Sequence, residues 1–139
     1  MSEIKVDTLT GKTTANDITV TVGATATAKL EQGLAKCWAN NKLQFTAETL
    51  DSFNQSSFSD DGTGKLTMSF SNVFSNDDYA PAGMSRTPSA GTAYASSVSI
   101  GNSTKTTSQL EVMFAYANSG SHAFYDIPQS GVHLQGDLA

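Results

Sequence analysis

Two histidines, His122 and His133, are the chain's only imidazoles, and they stand eleven positions apart. Neither belongs to a His-x-His or His-x-x-x-His pair, and the single cysteine, Cys37, has no second thiol to act with. A closed zinc site draws its ligands from closely spaced Cys and His, so no metal centre is expected. Asp60-Asp61 and Asp77-Asp78 set carboxylates side by side in turn-forming sequence. A calcium loop needs oxygen ligands at several alternating positions, and Asp-Asp-Gly-Thr-Gly lacks that series; these acids read as solvated turn residues. Glycoside hydrolysis needs two carboxyls facing each other across a cleft, and the spacing of Glu48, Asp51 and Glu111 sets up no such pair. Gly-x-Ser-x-Gly elbows, phosphate loops and dinucleotide fingerprints are missing from the sequence. The expectation is a protein that is not an enzyme, with no catalytic residue, no cofactor and no metal.

Recognition chemistry is better represented. Tyr and Arg are the residues that most often anchor binding surfaces. Arg86 and Tyr94 fall in Met84–Ala95, a stretch without periodicity and with the composition of a long loop, and Tyr125 lies near a turn. Arg86, Tyr94 and Tyr125 are therefore the candidate receptor contacts. The remaining aromatics, Trp38, Phe45, Phe53, Phe58, Phe70, Phe74 and Phe114, sit on the apolar phase of their segments and read as core. Cys37, beside Trp38, reads as a small buried hydrophobe.

Strands must position these residues. Leu66, Met68 and Phe70 alternate with Lys65, Thr67, Ser69 and Ser71, the period of a strand with one dry face. The Asp60–Gly64 turn opens that strand, with glycine supplying a positive φ, and Tyr79 and Pro81 suggest a second strand beyond a polar corner. Leu110, Val112, Phe114 and Tyr116 alternate most cleanly, and Val132, Leu134 and Leu138 mark the last strand. Leu43 and Phe45, then Phe53 and Phe58, suggest two short strands or a strand and a bulged segment, and Val98 and Ile100 a strand ending at Gly101-Asn102. Residues 24–41 are ambiguous: Leu30, Leu34 and Trp38 recur at helical spacing, but Gly33 disfavours a helix, and a strand over Gly33–Ala39, after a short helical turn, is expected. About eight short strands with turns roughly every ten residues predict an all-β fold, an antiparallel β-sandwich of jelly-roll type.

The first 24 residues differ from the rest. Ile4, Val6 and Leu9, then Ile18, Val20 and Val22, form two short apolar patterns around a polar link. Six aliphatics in a two-strand hairpin bury too little to offset the ordering of some twenty residues, so the segment must pack on its own C-terminal domain or on copies of itself. Residues 1–24 are expected to be an attachment and oligomerisation segment whose six aliphatics dock on neighbours, and residues 25–139 the sandwich domain. Ser and Thr make up about a quarter of the chain, charged residues only 15%, and the net charge is −5 without a basic run. Binding of nucleic acid through phosphate contacts is not expected. No apolar run approaches the length that spans a bilayer, so no membrane insertion is expected, and no secretory h-region is visible.

The stretch Gly62–Gly83, GTGKLTMSFSNVFSNDDYAPAG, resembles the C-terminal domains of tail fibre and spike proteins of tailed phages, particularly marine ones. SEIKVDTLTGKTTANDITVTVG, QGLAKCWAN, DSFNQSSFSDDGTG and HLQGDLA have counterparts there in the same order. The likeness departs over 87–108 and over 40–48, where related sequences carry a Gly-rich turn. What the resemblance implies is a virion structural protein, a homotrimer contacting other virion proteins and a host-surface glycan or protein during host attachment. The alternative is a capsid decoration or head-fibre protein docked on the particle through its N-terminal segment.

Overall fold

A computed structural model describes residues 6–10, 18–22, 26–86, 95–118 and 121–139. The chain divides into two units, Met1–Leu34 and Ala35–Ala139. In the first, β1 (Thr19–Val22) and β2 (Ala26–Lys29) form an antiparallel hairpin, followed by a 3₁₀ turn over Leu30–Gly33. The Leu30 amide donates to the Ile18 carbonyl at 2.8 Å, tying that turn to the start of β1. Residues 26–34 thus belong with the hairpin, and the two units divide after Leu34. The expected short helical turn is present, but the strand after it is β3 (Cys37–Lys42), several residues beyond Gly33.

The second unit is a β-sandwich of two antiparallel sheets. One holds β3, β4 (Glu48–Phe53), β7 (Ala80–Ser85) and β11 (Ser130–Gln135) in the order β4-β3-β11-β7. The other is built on β9 (Gln109–Asn118), which takes β8 (Ala95–Lys105) along one edge. Its other edge is shared end to end by β6 (Lys65–Phe70) and β10 (Ser121–Phe124), with β5 (Gln55–Asp60) outside β6. Period-two alternation does what it should in the central strands. Leu66, Met68 and Phe70 of β6 and Leu110, Val112 and Phe114 of β9 face Cys37, Ala39, Val132 and Leu134 of the opposite sheet, all buried. Full burial of each large member contributes about 1.5–3 kcal/mol.

Two positive-φ positions set the corners. Asn54 (φ 62) turns the chain from β4 in one sheet to β5 in the other. Its side-chain amide donates to the carbonyls of Lys36 (3.0 Å) and Asn72 (2.9 Å), and its Oδ1 accepts from the Asn72 amide (2.6 Å). Asparagine tolerates the left-handed region because its short side chain can bond locally. Gly64 (φ 68) ends the turn before β6, and a Cβ there would lie 2.6 Å from the Phe114 carbonyl oxygen and 2.7 Å from the Tyr125 nitrogen. Only glycine fits this approach.

Between β6 and β7 the chain crosses back with Phe74 and Tyr79 buried in it. Their rings stack at 4.3 Å, and Phe70 meets both edge-on. The Tyr79 hydroxyl reaches the carbonyls of Thr106 (3.1 Å) and Gln109 (3.0 Å), fastening the crossover to the start of β9. Burial, first, and the neighbouring Asp77 charge push its pKa up to about 12. Burial alone pushes the Cys37 thiol up to about 11. At the sandwich edge, Asn41, Thr49 and Gln55 close a polar ring across the two sheets: Thr49 Oγ1 donates to Asn41 Oδ1 (2.9 Å), Asn41 Nδ2 to Gln55 Oε1 (3.0 Å) and Gln55 Nε2 to Thr49 Oγ1 (2.7 Å). The fully buried Asn41 is thereby satisfied.

Several expectations need correcting. Leu43 and Phe45 do not form a strand; they make the connection from β3 to β4. There the Thr46 amide bonds back to the Gln44 carbonyl around Phe45, whose φ is 66, a γ-turn of positive central φ. Leu43 points into the core, but Phe45 is 96% exposed. Phe53, also expected in the core, is half exposed, because its pairing with Trp38 puts it on the outer face of the sheet. β8 continues past Gly101-Asn102 to Lys105 through an irregularity in its pairing with β9. Leu138, expected in the last strand, lies beyond β11 and meets Phe74 in an isolated bridge.

Candidate functional site

The outer face of the four-stranded sheet carries the candidate site. Residues paired across β4, β3, β11 and β7 form one row, Phe53–Trp38–His133–Ala82, and the next, Asp51–Asn40–Gly131–Met84. The local cause is the inward choice made by each strand. In β3 the small Cys37 and Ala39 face the core, so Trp38 and Asn40 face outward; in β11 Val132 and Leu134 face the core, so Gly131 and His133 face outward.

Between these rows lies an open groove of about 480 Å³, bordered also by Ser85, Arg86 and Gln129. Its floor is low at Gly131, where a Cβ would meet nothing within 4 Å. Trp38 is half-buried along it, and Met84, at one rim, is 79% exposed. The Arg86 amide donates to the Gln129 carbonyl at 2.8 Å, which closes the end of the groove and leaves the guanidinium exposed. One atom stands out: Asn40 Oδ1 is buried and has no hydrogen-bond partner. A buried acceptor left unpaired costs about 1–3 kcal/mol, a local penalty beneath the groove and not at its open surface. Aromatic surface, side chains that both donate and accept, and a volume within the usual range for ligand clefts suit binding more than bond-making.

The Asp60-Asp61 carboxylates are occupied as turn groups. Asp60 Oδ1 accepts the Gly62 amide (3.0 Å), and Asp61 accepts the hydroxyls of Ser59 (2.8 Å) and Thr67 (2.7 Å). Glu48 pairs with Lys42 on the surface. Glu111 is mostly buried beneath Gly101, and Asp51 caps the Ser52 amide. His122 and His133 sit in different sheets. Among the described residues no three His, Cys, Asp or Glu side chains gather as a metal site would require.

Of the candidate contacts, Arg86 is exposed at the groove, and Tyr94 lies outside the described residues. Tyr125 is only 8% exposed; its ring packs edge-on against Tyr116 at 5.6 Å, and its hydroxyl lies 3.4 Å from Ser85 Oγ. It belongs to the core, so a receptor-contact role is withdrawn. Among the expected docking aliphatics, Ile4 falls outside the described residues. Val6 and Leu9 are 55% and 62% exposed, Val20 is exposed, Ile18 is half-buried, and Val22 pairs with Ala26 in the hairpin. Trp38, Asn40, Gln129 and His133 were not anticipated as site residues. The signal lay in the small residues on either side of Trp38, which are the ones that fit against a tightly packed opposite sheet.

Comparisons with known protein families, with curated proteins and with solved structures return no match.

Proposed function

We propose that the protein is a non-enzymatic virion structural component of a tailed phage, tail-fibre- or spike-like, that acts as a homotrimer in attachment to the host surface. The observation that carries this reading is the division of labour within the chain. A small hairpin unit leaves Val6, Leu9, Val20 and Leu34 exposed, while a larger sandwich closes its own core and presents an aromatic groove. Exposed aliphatics on a unit too small to bury them favour docking on neighbours. A rigid sandwich repeated in an oligomer sums weak surface contacts into avidity.

Deletion of residues 1–34 tests it. The remaining sandwich should stay folded by circular dichroism, sediment as a monomer and vanish from purified particles, while the full chain sediments as a trimer and is found on the tail. An unchanged oligomer after deletion would remove the assembly role. Location of the full chain on the capsid would replace tail attachment by decoration, and its absence from particles would end the virion reading.

A further inference from the structure

We infer that the groove over Trp38 is a saccharide-binding site, with the indole as the platform for a pyranose ring and the polar side chains around it as partners for its hydroxyls. The inference rests on the attachment reading and gives its receptor a chemical class. Two observations converge on sugar. First, Trp38 is flanked by His133 on the neighbouring strand and Phe53 on the other, which exposes an aromatic strip along the sheet instead of hiding it in the core. An aromatic face offers apolar contact to the C–H face of a sugar ring. Second, Ser85, Arg86, Gln129 and His133 around the groove supply donors and acceptors in several directions, as a ring of hydroxyls requires. Gly131 leaves room for the ring to settle between Asn40 and Met84 without any rearrangement of the sheet.

Trp38 is the only tryptophan, so its fluorescence reports on the groove alone. The full chain should bind members of a printed array of bacterial surface polysaccharides, and the polysaccharides that bind should change Trp38 emission saturably in solution. Trp38→Ala should weaken array binding about tenfold or more, and Trp38→Phe should keep most of it. Gly131→Val, which fills the floor while leaving Trp38 in place, should weaken it as much, with an unchanged circular dichroism spectrum. No binding anywhere on the array overturns the inference. Binding that survives both Trp38→Ala and Gly131→Val also overturns it, moving recognition elsewhere while the attachment reading stands. Shielding of Trp38 from acrylamide in the assembled protein, relieved on dilution to monomer, overturns it in favour of a second copy on this face. Absence of the protein from particles strikes the attachment reading itself, whatever the array shows.

Discussion

The amide of Gly64 donates to Asp126 Oδ1 at 2.8 Å, joining residues sixty-two positions apart at the seam where β6 and β10 meet along β9. Three further contacts complete the seam. The Phe114 amide donates to the Gly64 carbonyl (2.8 Å), the Tyr125 amide donates to the Phe114 carbonyl (3.3 Å), and Lys65 Nζ lies 5.1 Å from the centre of the Phe124 ring. The Gly-Thr-Gly turn therefore does more than reverse the chain. It fills the gap left between two strands that share one edge.

Gly64→Ala should consequently be among the most damaging single changes, at about 3 kcal/mol or more, since a side chain there opposes both φ and three backbone atoms. Asp126→Ala, which removes only one charge-assisted bond at a half-buried position, should cost about 1–2 kcal/mol. Gly62→Ala supplies the control: it also has positive φ (110) but open space around its Cβ, so it should cost about 1 kcal/mol. Thermal melts that rank Gly62→Ala with Gly64→Ala would refute the seam.

The corner at Asn54 separates conformation from hydrogen bonding. Asn54→Gly keeps the positive φ but loses three side-chain bonds, and should cost about 2 kcal/mol. Asn54→Ala loses both and should cost about 1 kcal/mol more. Urea midpoints at constant slope measure the difference; equal midpoints would mean that the left-handed conformation carries no strain.

Phe45 and Phe74 should behave oppositely despite being the same residue type. Phe74→Ala empties a fully buried, stacked position and should cost about 3–5 kcal/mol. Phe45→Gly relieves a bulky residue from positive φ at an exposed turn and should raise stability by about 1 kcal/mol. A loss of stability in Phe45→Gly would show that the exposed ring makes contacts that hold the turn.

Alkali should weaken the sandwich through two groups. The folded-state pKa values of Cys37 (about 11, from 9.0) and Tyr79 (about 12, from 10.0) lie above their ordinary values, so the fold favours both protonated forms. The stability they contribute is fully present below about pH 9 and is lost as pH rises through that window, because the unfolded chain gives up these protons first. Tyr79→Phe and Cys37→Ala should flatten the fall between pH 9 and 12 while lowering stability at pH 7, the first by loss of its hydrogen bonds and the second by a small cavity. The Cys37 thiol should also resist alkylation at pH 8 until the protein unfolds. Rapid alkylation of the native protein would contradict its burial.

What the sequence determined by itself is local: the alternation of Leu66, Met68 and Phe70, and of Leu110, Val112 and Phe114, and the glycine turn ahead of the first set. Each signal is contained within a few neighbouring residues, and each strand has only two faces to divide among them. The tertiary structure decided which face of a mixed strand goes inside. Trp38 turned outward because Cys37 and Ala39 fit the space between the sheets, and Phe53 followed it through cross-strand pairing. Tyr125 turned inward because β10 ends where Tyr116 and Ser85 receive it. The groove exists only because three strands distant in sequence present Trp38, Gly131 and Met84 side by side, and pairing between strands is a property that period-two patterning does not encode.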